Sequence, residues 1–136
     1  MRVFLDANIL FSAAKSGGAI RELLHRLLAA GHTPCADVYV ADEARRNLMA
    51  KGPAALADFE RLLDSIEVAP FRPLSLPPRV AALVHEKDRP VLAAAVGQAC
   101  DVLLTGDRTH FGALDGRVLL RVAVHSPRSL AELLKL

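Results

Sequence analysis

Tryptophan is missing from the chain, and Tyr and Phe together bring the aromatic content to only 4%. The hydrophobic share of 52% must therefore be carried by Leu, Val and Ala, which suits parallel strands buried between helices. The same shortage makes broad base stacking on aromatic side chains a poor expectation. Cysteine is scarce too. Cys35 and Cys100 show neither CxxC spacing nor paired histidines, which argues for reduced thiols over a disulfide or metal site and points to the cytoplasm. No apolar run reaches the roughly 18 residues a membrane span requires, and Arg2 and Asp6 interrupt the N-terminus, so a soluble chain without a targeting or membrane segment is expected. Internal repeats and low-complexity tracts are absent. Neither charge sign dominates: a net +2 permits a polyanionic partner without demanding one.

What is present is an alternation of strand and helix signals across 136 residues, the length of one domain spanning 1–136. Arg2-Val3-Phe4-Leu5 reads as a short buried strand. Ile20 to Ala30 carries Ile20, Leu23, Leu24, Leu27 and Leu28 on one helical stripe and closes at Gly31. Asp37 is an N-cap candidate for a helix from about Val38 to Ala50, stopped near Gly52, and Pro53 opens another with Leu56, Phe59, Leu62 and Leu63 inward. Ile66-Glu67-Val68 has the look of an edge strand. A proline connector from Pro70 to Pro78 follows, then a helical turn or two over Val80 to Val84. Next come an Ala-rich helix from Lys87-Asp88-Arg89-Pro90 to about Cys100 and the strand Val102-Leu103-Leu104-Thr105. A strand within Val118 to Val124 and a helix capped by Ser126 and opened by Pro127 complete the chain. The expected fold is a three-layer α/β/α sandwich with a mainly parallel central sheet.

Four acids fall at the ends of these elements. Asp6 is the first polar residue beyond the first strand, and Asp107 follows the strand ending at Thr105. About twelve helical residues leading away from Asp88 cover roughly 18 Å, and about five extended residues at roughly 3.3 Å each return nearly as far. Asp88 and Asp107 should therefore finish close together. With parallel strands, Asp6 shares that carboxyl-terminal edge, and Glu43 reaches it from the first two turns of its helix. Converging carboxylates of this kind commonly hold a divalent cation.

Three segments carry a family resemblance. Val3-Phe4-Leu5-Asp6-Ala7-Asn8-Ile9-Leu10, Asp42-Glu43-Ala44-Arg45-Arg46-Asn47-Leu48, and Lys87-Asp88-Arg89-Pro90 leading to Leu104-Thr105-Gly106-Asp107-Arg108-Thr109-His110-Phe111 resemble PIN domains in order and content. The resemblance implies a Rossmann-like fold and metal-dependent ribonuclease action, including that of toxins in bacterial toxin–antitoxin pairs. An antitoxin partner and an RNA substrate follow as expectations, and separately the apolar helix faces of so small a chain suggest a homodimer. Asp6, Glu43, Asp88 and Asp107 take the four acidic positions, with Asp6 and Asp107 expected as direct ligands. Magnesium or manganese fits such a set, because hard cations prefer oxygen donors and retain waters. Two ions, if present, would stand roughly 3.5–4 Å apart. Asn8, Ser12, Thr105 and Arg108 are the expected supporting or substrate-binding residues. His110, Lys15, Arg45, Arg46, Lys87 and Arg89 are candidates for the RNA backbone if they border the cleft.

Plainer readings stand beside these. Asp88 is a good helix N-cap, Glu43 has Arg46 and Asn47 within one turn, and Asp101 fits a helix-to-strand turn. His25, His32, His85 and His125 show no ligand spacing. A phosphatase of the haloacid dehalogenase type would need a second Asp where Asn8 stands. A non-catalytic PIN scaffold binding RNA or protein remains the alternative.

Overall fold

The computed structural model describes residues 1–72 and 74–136; Pro73, within the proline connector, lies outside the described residues. The chain runs β1 (Arg2–Leu5), α1 (Ala7–Lys15), α2 (Ala19–Ala29), β2 (Thr33–Asp37), α3 (Val38–Lys51), a 3₁₀ turn at Pro53–Ala55, α4 (Leu56–Asp64) and β3 (Glu67–Ala69). It continues through α5 (Pro78–Ala81), a 3₁₀ turn at Glu86–Asp88, α6 (Arg89–Gly97), β4 (Val102–Leu104), α7 (Arg108–Phe111), a 3₁₀ turn at Gly112–Leu114, β5 (Val118–Leu119), β6 (Val122–His125) and α8 (Pro127–Leu134). Among the described residues, no helix is long and apolar enough to cross a membrane.

The strands form one six-stranded sheet in the order β3-β2-β1-β4-β6-β5, parallel throughout except for β5. It is the expected α/β architecture with a mainly parallel sheet. Val3, Phe4 and Leu5 of β1 and Leu103 and Leu104 of β4 are completely buried, as central strands covered on both faces must be. Starting at β1, the chain builds outward through β2 and β3, then crosses back to lay β4 on the other side. The crevice between the ends of β1 and β4 is thus the topological switch point, where open α/β sheets bind ligands.

Most expected elements are found with small shifts in their ends. The edge strand is Glu67–Ala69, and the short helix expected over Val80 to Val84 begins earlier, at Pro78. Thr33–Asp37, just ahead of the helix expected from about Val38, is a strand paired with β1. Cys35 and Cys100 are buried free thiols.

Two corrections share one cause. The Ala-rich helix stops at Gly97 instead of Cys100, because Ala99 takes a left-handed φ of 54°. Its amide and that of Cys100 turn back onto Val96 O and Ala95 O at 3.0 and 2.9 Å, closing the end as a Schellman motif. At the end of α2, Gly31 performs the same reversal at φ 84° and is visible in the sequence; an alanine there gives no such sign.

Likewise, the single strand expected within Val118 to Val124 is an antiparallel hairpin. Leu119 pairs with Val122, and the two-residue loop of Leu120 and Arg121 has φ of 51° and 70°. Two consecutive positive φ values are what a type I′ turn requires, and Asn-Gly is its usual signature. Arg121 is exposed, so Arg121→Gly should relieve left-handed strain and raise stability by about 1 kcal/mol. Chemical denaturation of the two proteins checks this; a less stable variant would contradict the strain.

Candidate active site

Asp6 ends β1 and caps α1. Its Oδ1 accepts from Ala7 N at 2.7 Å, and its Oδ2 accepts from Thr105 Oγ1 at 2.8 Å and from Asn8 Nδ2 at 3.3 Å. Thr105 directly follows β4 and in turn accepts from Asp107 N at 3.1 Å. Asn8 Oδ1 accepts from Gly106 N at 2.8 Å. A side chain on residue 106 would bring its Cβ within 3.3 Å of that oxygen, so glycine lets the backbone come close. This web joins the ends of the two central strands and holds Asp6 and Asp107 at one edge.

Asp107 caps α7 through Oδ1, which accepts from His110 N at 3.0 Å, while Oδ2 faces His110 Nδ1 at 3.1 Å. Asp88 ends the 3₁₀ turn before α6. Its side chain makes no capping hydrogen bond, and its Oδ2 lies 2.5 Å from the same His110 nitrogen. The expected approach of Asp88 to Asp107 is thus present, mediated by a histidine between them. Glu43 projects from α3, where it joins no ion pair among the described residues. The neighbouring Arg45 is taken by Asp42 and Glu60.

Asp6, Glu43, Asp88 and Asp107 all line a single cleft of about 560 Å³, together with Asn8, Phe11, Tyr39, Asn47, Lys51, Lys87 and His110 among others. The four-residue spacing of Tyr39, Glu43, Asn47 and Lys51 sets them on one face of α3, which forms one wall. Only Glu43 of that stripe is apparent from sequence. Tyr39 stacks on Phe71 with ring centroids 5.5 Å apart.

Other expected site residues lie elsewhere. Ser12, a turn of helix beyond Asn8, is exposed and outside the cleft lining. Arg108 lines an adjoining depression of about 240 Å³ with Phe111, Asp115 and Arg128. Of the cations proposed for the rim, Lys87 borders the cleft and Lys15, Arg45, Arg46 and Arg89 do not. The Arg89 guanidinium donates to Ala81 O and Val84 O at 2.9 and 3.2 Å, tethering the α5 turn. Lys51, which sequence reasoning overlooked, stands on the lining instead. Asp101 accepts from Arg2 N at 2.8 Å, as a turn residue should. His85, whose sequence spacing suggested nothing, stacks on His110 with centroids 4.0 Å apart.

The electrostatics of the cleft are unfavourable to its own charges. Burial lifts the Asp6 carboxyl from an ordinary 3.8 to about 6, and repulsion from Asp88 and Glu43 adds to the rise, against the hydrogen bonds from Thr105 and Ala7. The residues present suit a divalent cation: the donors are hard oxygens, and the buried Asp88 Oδ2 has no hydrogen-bond partner.

A parallel α/β sheet with a carboxylate cleft at its switch point defines the class of protein. The PIN domain family model matches residues 2–109, and the chain belongs to the PIN domain family. No curated protein matches it in sequence. Among solved structures it is similar to the crystal structure of VapBC2 from Rickettsia felis bound to a DNA fragment from their promoter. The TM-score is 0.65 at 14% identity, covering 93% of this chain and 98% of that one. It is also similar to Mycobacterium tuberculosis VapC20, a sarcin-ricin loop cleaving toxin, with a TM-score of 0.54 at 16% identity over 82% and 94% of the respective chains. At these identities the likeness establishes the shared fold.

The raised Asp6 pKa carries a stability consequence whose sign follows from linkage. The native state holds the Asp6 proton more tightly than the unfolded chain does. The contribution is therefore complete below about pH 4 and is lost as pH rises through about 6. In metal-free protein, Asp6→Asn should gain stability over wild type between pH 4 and pH 7, by on the order of 3 kcal/mol. Parallel melting-temperature profiles for the two proteins would contradict this.

Proposed function

We propose that this chain is a metal-dependent endoribonuclease that hydrolyses RNA phosphodiester bonds at the four-carboxylate cleft, with Mg²⁺ or Mn²⁺ as cofactor. The observation that carries the reading is the convergence of Asp6, Glu43, Asp88 and Asp107, from four separate segments, on one cleft at the switch point. Membership of the PIN family supports it. The two structural neighbours, VapBC2 bound to promoter DNA and a sarcin-ricin loop cleaving toxin, support a toxin role with a protein antitoxin as partner. Cytoplasmic action and a single functional domain accord with this reading.

The chemistry an ion would supply here is activation of water for in-line attack on phosphorus and neutralisation of charge on the leaving oxygen. Asp6, Asp88 and Asp107 would hold it, and Glu43, which joins no ion pair among the described residues, would bind a second ion or orient water. Thr105 and Asn8 fix the Asp6 carboxylate, so its oxygens need no rearrangement when substrate enters. On the wall, Lys51 offers a cation to a phosphate and Asn47 an amide to a base or sugar. Tyr39, backed by Phe71, adds an aromatic face where composition alone argued against stacking.

Asp107→Asn should lower Mn²⁺-dependent cleavage of RNA by a factor on the order of 10²–10³ while the protein remains folded. Full activity in the variant would remove the site assignment, and RNA binding without cleavage by wild type in saturating Mn²⁺ would favour a non-catalytic scaffold. Lys51→Ala should weaken RNA binding and lower the slope of log affinity against log salt by about one; an unchanged slope would exclude a phosphate contact.

A further inference from the structure

His110 belongs to the interior of the cleft. Its Nδ1 stands 2.5 Å from Asp88 Oδ2 and 3.1 Å from Asp107 Oδ2. Asp88 Oδ2 and His110 Nδ1 are both sealed from solvent, yet neither has a hydrogen-bond partner. The atoms are close, but the ring and the carboxylate do not line up as donor and acceptor. Two buried polar atoms left without a donor can both be satisfied by one cation between them. Two donors each about 2.1 Å from one ion and at right angles to each other stand roughly 3 Å apart. The 3.1 Å separation of His110 Nδ1 from Asp107 Oδ2 is of that size, and the 2.5 Å separation from Asp88 Oδ2 is shorter and would open as an ion entered.

We propose that His110 Nδ1 is a ligand to the same ion as Asp88 Oδ2 and Asp107 Oδ2, making the centre a mixed nitrogen and oxygen site that prefers Mn²⁺ and other transition ions to Mg²⁺. This rests on the reading of the cleft as a metal site and names the ion class it selects. Imidazole is a softer donor than carboxylate, so its presence favours transition ions over magnesium. The local chain is built to present it. Asp107 uses Oδ1 to hold the His110 amide, which leaves Oδ2 turned toward the ring. One residue thus caps the helix and shares the ion.

His85 has a different part. Polar atoms of His85, Asp88 and His110 lie within 4.8 Å of one another, but the two rings are parallel, with planes inclined by only 2°. Lone pairs of stacked rings lie in separate parallel planes and do not converge on one ion. In addition, His85 Nδ1 accepts from Lys87 N at 3.2 Å. His85 is a positioning residue that braces one face of the His110 ring.

Electron spin-echo modulation of the Mn²⁺-loaded protein tests the assignment directly, because a bound imidazole imprints ¹⁴N couplings on the manganese signal. Wild type and His85→Phe should both show them, the latter because a flat ring still braces His110. His110→Ala should lose them and bind Mn²⁺ on the order of tenfold more weakly, with a smaller change for Mg²⁺. Bound Mn²⁺ without nitrogen coupling in wild type, or coupling that survives His110→Ala, would overturn the His110 ligand and leave the carboxylate site standing. Failure of wild type to bind Mn²⁺ would overturn both.

Discussion

A single buried carboxylate sets the terms for the rest of this structure. Asp6 is only 5% exposed at the end of a central strand, among other acids. Burial of that kind is tolerated only where hydrogen bonds are directed at the carboxylate. Ala7, Asn8 and Thr105 supply them, and in doing so they tie β1 to β4 across the switch point. Thr105 is the hinge of the arrangement, because its hydroxyl donates to Asp6 while accepting from the Asp107 amide. The residual electrostatic cost stays in the metal-free protein, and an incoming cation would relieve it. Fold stability and metal affinity are therefore linked through one side chain.

Around that point the cleft is assembled from elements with unrelated folding roles. Asp6 and Asp107 each also serve as helix caps. Asp88, at the corresponding position before α6, makes no cap hydrogen bond. A carboxylate spent neither on a helix terminus nor on an arginine has its charge available for a ligand, and the same holds for Glu43. The nearby basic groups Arg45 and Arg89 are committed to Glu60, Asp42 and backbone carbonyls. Lys51 and Lys87 on the cleft lining and His110 beside Asp88 and Asp107 are the basic groups left to face the acids.

Asp6, Asp88 and Asp107 were legible because each ends or begins an element and strand direction and length bring them to one edge, and Glu43 was legible from its place in the first two turns of α3. Asn8, Thr105 and Gly106 were legible as a motif, and the structure shows what each bonds. Other features left no trace in local pattern. Ala99, Leu120 and Arg121 take left-handed conformations that glycine or asparagine would have announced. The meeting of His85 and His110 depends on how two turns fold onto each other, and their sequence separation hides it. Lys51 belongs to a polar stripe read only in part, since Glu43 drew attention by its charge and Tyr39 and Asn47 did not. Ser12 and Arg108 show the converse: closeness in sequence to an acid did not carry them into the cleft.

The central claim is that the four converging carboxylates form a divalent-metal centre. Anomalous diffraction from crystals of the protein soaked in Mn²⁺ would test it most directly. The account predicts a manganese peak in the cleft bordered by Asp6, Asp88 and Asp107, on the side facing Glu43. A cleft without a peak at saturating Mn²⁺, or a dominant peak elsewhere on the surface, would contradict it.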